Sequence, residues 1–362
     1  MASTIHQLEK QDKRGRWFVA LAILLSISVL TASWVGLFTF MTATAAHGSF
    51  IDLETKYIPE VDGEALNFPD LSRVSKVYAS DGTLLAELHD GRVSEPVRYE
   101  EIPQTVVDAV LAAEDSDFFE HDGIDWSAIM SAAIDNLGSD TQRGGSTITQ
   151  QVVKKTFVGD ELTLKRKIRE AVTAIELERR YSKEQILEFY MNSVYFGSSA
   201  YGINAAAHEF FRKDLNQLSI AEAATLAVLP RNPTTYNPRR NAELTIERRN
   251  DVIAEMVDSG FITAEEGDAA VEQPMFIAPH ETFSSPADHV VAEVKRQLLS
   301  DPRFAVLGET REERKHSIFG CPADDEVCEG GGGLHIHLTI DLDLQNTANG
   351  ILQTWLPPPT DP

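Results

Sequence analysis

Glu114, Asp115, Phe118, His121 and Gly123 follow one another as Glu-Asp-x-x-Phe-x-x-His-x-Gly. Glu114, Phe118 and His121 fall at i, i+4 and i+7, so a helix continuing through them presents a carboxylate, an aromatic ring and an imidazole on one face. Such a face can hold a general base and its surroundings. The plainer alternative is a surface acidic pair, a core phenylalanine and a structural histidine. Gly144-Gly145-Ser146-Thr147 then runs into a helical pattern through Lys155. Backbone amides and the positive end of the helix dipole can dock an anion there, and Thr147, Gln151 and Lys154, again at i, i+4 and i+7, form a stripe of donors. An ordinary capped helix with a solvated face explains the same pattern, and a GxxxxGK[ST] phosphate loop is absent. Arg166 and Glu170 stand four residues apart, a spacing that alone means a surface ion pair worth about 0.3–0.5 kcal/mol.

These residues need helices to position them. Ile102, Val106, Ala109, Val110 and Ala113 recur at helical spacing, and similar patterns cover 146–157, 163–180, 183–192 and 219–229. Two starts carry capping boxes, Ser182 with Gln185 and Ser219 with Glu222; Pro230, Pro233 and Pro238 close the last helix. Tyr181 to Asn192 and Leu226 to Pro238 read as packing and turn-forming segments. Upstream, residues 74–99 alternate apolar and polar around Asp81-Gly82 and Asp90-Gly91, a hairpin signal. After about residue 275 the chain is rich in Pro, Gly and charge, with four consecutive glycines, Gly330 to Gly333, before the strand-like run LHIHLTIDLDLQ.

From Trp17 to Met41 the chain has no Asp, Glu, Lys or Arg. At about 1.5 Å per residue that stretch spans the roughly 30 Å hydrocarbon core of a bilayer. Ala-Thr-Ala-Ala at 43–46 leaves a cleaved signal as the alternative. Lys10, Lys13, Arg14 and Arg16 precede it and the next basic residue is Lys56, so the amino terminus is expected in the cytoplasm and the rest outside. The 362 residues are 43% hydrophobic and 24% charged, which describes a folded chain, and the formal net charge of -24 argues against nucleic acid as partner. Cys321 and Cys328 are too few for a disulfide scaffold. Close in sequence and expected in an oxidising compartment, they are expected to pair, the alternative being two free thiols in a flexible linker.

Taken together, the order and spacing are far more specific than any single motif. Glu114 to Gly123, Gly144 to Lys154, Arg166 to Glu170, Lys183 to Asn192 and Ala221 to Pro230 resemble, in order, the five signature stretches of glycosyltransferase family 51, the peptidoglycan glycosyltransferase domain of class A penicillin-binding proteins. The resemblance covers roughly residues 76–275. Lys155 departs from the asparagine usual in the family.

The resemblance implies a mainly α, lysozyme-like domain with a small β element, preceded by one transmembrane helix. Its chemistry is the polymerisation of lipid II at the outer face of the bacterial cytoplasmic membrane. Glu114 is then the base that takes the acceptor hydroxyl proton, and Glu170 the second catalytic carboxylate, orienting Arg166 or holding a divalent metal. Asp115, Phe118, His121, Ser146, Thr147, Gln151, Lys154 and Arg166 are implied to bind substrate, Lys154 and Arg166 as cations for the pyrophosphate. No cofactor is required by sequence, although a divalent cation such as Mg can serve. Implied partners are lipid II, the growing glycan strand, the membrane and cell-wall synthesis or division proteins.

The expected organisation is a cytoplasmic tail (1–16), an anchor (17–41), a tether (42–75), the glycosyltransferase domain (76–275), and a linker with the start of a transpeptidase domain (276–362). The apolar stretch 124–134 reads as a membrane-seated element or an ordinary core helix. The terminal LHIHLTIDLDLQ run resembles the entry to a transpeptidase domain, but no S-x-x-K, S-x-N and K-T-G set follows, so an amino-terminal part of a bifunctional protein is expected. Two rival readings are a lysozyme-like lytic enzyme, which needs an acid for its sugar leaving group and no phosphate cradle, and an inactive membrane-anchored scaffold.

Overall fold

A computed structural model describes residues 66–126, 146–158, 164–280, 285–325 and 328–355. These lie in one of two units into which the chain divides, Glu64–Pro362. The expected tail, the anchor, Gly144, Gly145 and most of the 124–134 stretch lie outside the described residues. Among the described residues no helix is long and apolar enough to cross a membrane.

The expected helices form the larger core. α1 (Gln104–Glu114) follows Pro103, whose ring fixes an extended entry, and buries Val106, Val107, Ala109, Val110, Leu111 and Ala112. It packs against α6 (Ile220–Val228) and α7 (Ala242–Asp258). The small side chains of α6, Ala221, Ala223, Ala224 and Ala227, let the helix axes approach closely. Between these lie α2 (Ile148–Val153), α3 (Leu164–Arg180), α4 (Lys183–Ser193) and α5 (Ile203–Phe211). Ser182 and Ser219 cap α4 and α6 through the boxes expected of them. α8 (Ala264–Val271) packs on α7.

A second, smaller core lies around the hairpin. β1 (Ser75–Tyr78) pairs antiparallel with β2 (Leu84–Leu88), and β1 also pairs in parallel with β6 (His335–His337). Leu85, Leu88 and Val77 of this sheet bury against Val291 and Leu298 of α9 (Asp288–Ser300) and Ile318 of α10 (Arg311–Phe319). α11 (Leu342–Trp355) follows β6. Much of the segment that reads as a linker is therefore folded onto the hairpin. A second sheet joins β3 (Val93–Ser94), β5 (Ala200–Tyr201) and β4 (Tyr195–Gly197) on the helical side.

The four-glycine run is a fitted turn and not a spacer. Gly330 to Gly333 all have φ between 66° and 77°, the left-handed region closed to most side chains. The amide of Gly330 donates to Asp70 O at 2.6 Å, and that of Gly333 to Arg73 O at 3.1 Å. A Cβ on Gly332 would sit 1.9 Å from the Arg73 carbonyl oxygen, whereas one on Gly82, also left-handed, meets nothing within 4 Å. Gly82→Ala is therefore expected to cost about 1–2 kcal/mol. Gly332→Ala adds backbone displacement to that strain and should cost distinctly more. Denaturant unfolding of the two variants checks the ordering; equal losses would contradict it.

Candidate active site

The segment 146–154 is the hub of the site. Thr147 caps α2: its Oγ accepts from the Gln150 amide at 3.2 Å, while the Gln150 side chain accepts from the Thr147 amide at 3.0 Å. The Thr147 hydroxyl donates to Gly123 O at 2.8 Å. Gly123 is left-handed, and a Cβ there would lie 2.8 Å from the Ala174 backbone in α3, so only glycine fits. The Ile148 amide donates to the Asp115 carboxylate at 2.9 Å. The Thr147, Ile148 and Gln150 amides of this helix start are thus bonded within the protein, that of Ile148 to Asp115, 33 residues upstream. Gly144 and Gly145, on which the expected anion dock also rests, lie outside the described residues.

Glu114 ends α1, and its carboxylate accepts from Gln151 Nε2 at 2.7 Å. Gln151 Oε1 in turn accepts from the Tyr190 hydroxyl at 3.4 Å. Tyr190 is buried, which with the nearby negative charges of Glu114 and Asp115 holds its phenol well above the ordinary value. The phenol therefore remains a donor and orients the Gln151 amide, oxygen to Tyr190 and nitrogen to Glu114.

Burial raises the Glu114 pKa above its ordinary value of 4.5, against the opposing pull of the Gln151 hydrogen bond and then of Arg231, Lys155 and Arg248. The residue as a whole is half-buried. The base role that the resemblance implies for Glu114 requires the ionised form, so activity should fall as pH drops through this raised pKa, with an acidic limb above 4.5. Gln151→Leu removes a donor to the ionised form and should move that limb higher. A pH–rate profile of both proteins checks this, and coincident limbs would contradict it.

Glu170 is held differently. One turn of α3 sets Arg166, Lys167 and Glu170 on one face. Arg166 Nη1 donates to Glu170 Oε2 at 3.0 Å, and Lys167 Nζ bonds the other oxygen. Lys167 Nζ also donates to Ser146 Oγ at 2.7 Å, tying this cluster to the start of the hub. Glu170 is 1% exposed. Both of its oxygens face cations, so this donor set does not fit a divalent metal. Lys154, partly exposed, closes α2 at its carboxyl end.

Several residues expected to bind substrate form a buried bracket within the protein. α1 stops at Glu114; Asp115 is non-helical (φ -168°, ψ 78°), so the expected continuous face through Phe118 and His121 does not form. The physical reason is that the Asp115 carboxylate is committed to the Ile148 amide and to His121 Nε2, at 3.1 Å. Phe118 is fully buried, edge-on to His121 and beneath Lys183 Nζ at 4.4 Å from its ring centroid. Lys183 bonds His121 O and Glu178, and Glu178 accepts from Thr149. Phe118 and Thr147, 0% and 3% exposed, are thus enclosed by the protein in this structure.

Arg231, Arg248, Lys155 and Lys167 were not assigned roles from the sequence. Lys167 lies inside the Arg-Lys-x-x-Glu stretch and Arg231 directly follows Pro230, so the motifs bordered both; Arg248 reaches the site only because α7 packs on α1.

All of these contacts fall within residues 81–257, which match the transglycosylase family, and the chain carries a domain of that family. Penicillin-binding protein 1A of Pseudomonas aeruginosa is 41% identical over 287 residues, covering 79% of this chain and 32% of that protein. Penicillin-binding protein 1A of Haemophilus influenzae is 36% identical over 290 residues, 79% of this chain and 33% of that protein. Penicillin-binding protein 1F of Bacillus subtilis is 36% identical over 280 residues, 77% and 36%. The chain thus spans about a third of the length of the curated relatives it matches. The crystal structure of penicillin-binding protein 1A from Haemophilus influenzae aligns with a TM-score of 0.37 at 24% identity, covering 65% of this chain and 25% of that one.

Proposed function

We propose that the chain is a peptidoglycan glycosyltransferase that polymerises lipid II by inverting transfer, with undecaprenyl pyrophosphate as leaving group. The observation that carries the reading is the separation of two unlike carboxylates along one short segment. Gln151 holds Glu114, which is enclosed and has its pKa raised. Ser146, five residues earlier, joins the cluster in which Arg166 and Lys167 grip Glu170.

The acceptor 4-hydroxyl attacks the donor anomeric carbon and gives its proton to Glu114. The anomeric C–O bond breaks, and its electron pair leaves with the pyrophosphate. Arg166, Lys167 and Lys154 meet that growing negative charge, and Glu170 positions the first two. The leaving group is already anionic and needs no general acid.

The domain is a lysozyme-like fold anchored by residues 17–41 with its amino terminus cytoplasmic and its catalytic face outside. Exposed Phe119 and Trp126, 47% and 62% open and bordering the 127–145 segment, support contact of this edge with the bilayer that carries the lipid substrate. The lytic alternative needs an acid for its sugar leaving group and has no use for the Arg166 and Lys167 cations gathered beside Ser146. The test offers the full chain lipid II and isolated peptidoglycan together. Consumption of lipid II with release of undecaprenyl pyrophosphate supports transfer, and soluble glycan fragments without that release would overturn it.

A further inference from the structure

Cys321 and Cys328 are joined by a disulfide, with Cα atoms 5.6 Å apart. His316, in the last turn of α10, brings Nδ1 to 3.5 Å from Cys328 Sγ. Among the described residues, His316, Cys321 and Cys328 are the one group of three metal-capable side chains whose donor atoms all lie within 4.8 Å of one another. We propose that reduction of this disulfide creates a Cys2His site for a thiophilic divalent cation of the zinc type.

Two thiolates and an imidazole are a donor set that zinc takes at sites with a fourth position open to water, and the geometry fits it. Bonds of about 2.3 Å to sulfur and about 2.0–2.1 Å to nitrogen make the S···N edge of a tetrahedron about 3.5 Å, and the S···S edge about 3.8 Å. The His316–Cys328 pair already stands at the first spacing. The second is reached by turning the two side chains once the S–S bond is open, and water completes the tetrahedron.

What distinguishes this cluster from a chance grouping is how its backbone is held. The Cys321 amide donates to Ser72 Oγ at 2.9 Å, and the Cys328 amide to Asp325 Oδ1 at 3.1 Å. Ala323 donates to Asp90 O at 3.1 Å, and Arg92 to Asp325 O at 3.1 Å. The His316 carbonyl accepts from both Gly320 and Gly332, at 2.9 and 3.2 Å. Its ring lies against Gly331, where a Cβ would come within 2.9 Å of Cε1 and Nε2. None of these contacts needs the S–S bond, so the thiols stay within reach of His316 after it opens.

The exchange balances with an external dithiol as reductant. One thiolate of the dithiol attacks Cys328 Sγ, the less buried sulfur, and the Cys321 thiolate leaves. The second thiol of the dithiol displaces Cys328 and departs as a cyclic disulfide. Two electrons and two protons pass to the chain, and the cation then displaces the two thiol protons. The loop bridging α10 to the hairpin is thereby closed in either state, by a covalent bond or by a metal.

The test uses the full chain, oxidised or reduced with a phosphine that is then removed without air, titrated with Co2+ and then Zn2+. Reduced protein should take up one Co2+ with thiolate-to-metal charge-transfer absorption that Zn2+ bleaches, and Zn2+ should raise its Tm; oxidised protein should do neither. His316→Ala, reduced, should bind at least about tenfold more weakly, the loss expected even for an outer partner of a ligand. Absence of the charge-transfer band in reduced wild-type protein, equal uptake by oxidised protein, or unchanged affinity in a folded His316→Ala chain would each overturn the site.

Discussion

Glu114→Gln should lower lipid II polymerisation by about 10²–10⁴-fold while lipid II binding survives. The substitution keeps the shape and an acceptor for Gln151, whose Nε2 lies 2.7 Å from the carboxylate. It removes only the capacity to take a proton. Stability separates this from damage to the fold. The folded state raises the Glu114 pKa above 4.5, so at intermediate pH the folded chain holds a proton that the unfolded chain has lost. Stability from this group is therefore present below the unfolded value and falls as pH rises through the folded one. Near neutrality the carboxylate is a burden that Gln does not carry, and Tm at pH 7 should be unchanged or higher. Lost activity together with lower Tm would point to misfolding instead.

Glu170→Gln should injure both stability and turnover. Arg166, whose side chain is 12% exposed, and Lys167 face a carboxylate that is almost wholly enclosed. Breaking a buried pair by removing one partner costs about 3–5 kcal/mol. Lys167, 43% exposed at its side chain, can turn toward water, so the lower end of about 3 kcal/mol is expected. Arg166 then loses its orientation toward the leaving group, and a fall of about 10²-fold in kcat is expected at temperatures where the variant is folded. The acidic limb of the pH–rate profile should stay where it is, because the proposed mechanism has Glu170 position cations and Glu114 take the proton. A purely structural Glu170 would lower Tm and spare kcat. Loss of the acidic limb in Glu170→Gln would transfer the role of base to Glu170.

The sequence was most informative where chemistry and local periodicity coincide. Glu114 and Gln151 are 37 residues apart, yet each lay in a stretch whose spacing marked it, and they meet. The Arg166–Glu170 spacing was equally direct, because four residues along a helix bring two side chains together. Burial was not legible at the same level. Phe118 and Thr147 sit in motifs shared with their working neighbours, and nothing in their spacing says that they face inward. Asp115 shows why: one non-helical residue, fixed by the Ile148 amide and His121, turns the chain away from the helical face that the spacing implied. The partner of the hairpin was hidden for a different reason. β1 pairs with a strand about 260 residues later, and an alternating pattern announces a strand without naming its neighbour. Four glycines likewise read as slack chain, and the Asp70, Arg73 and His316 carbonyls beside them turn that freedom into a required left-handed path.

The most direct measurement is incubation of the purified full chain with labelled lipid II, followed by digestion with lysozyme. The wild-type chain should produce a polymer of high molecular weight that lysozyme degrades, with Glu114→Gln producing at most about a hundredth as much per unit time. Unchanged lipid II after incubation with folded wild-type protein, or polymer made by Glu114→Gln at the wild-type rate, would contradict the proposed glycosyltransferase activity with Glu114 as its base.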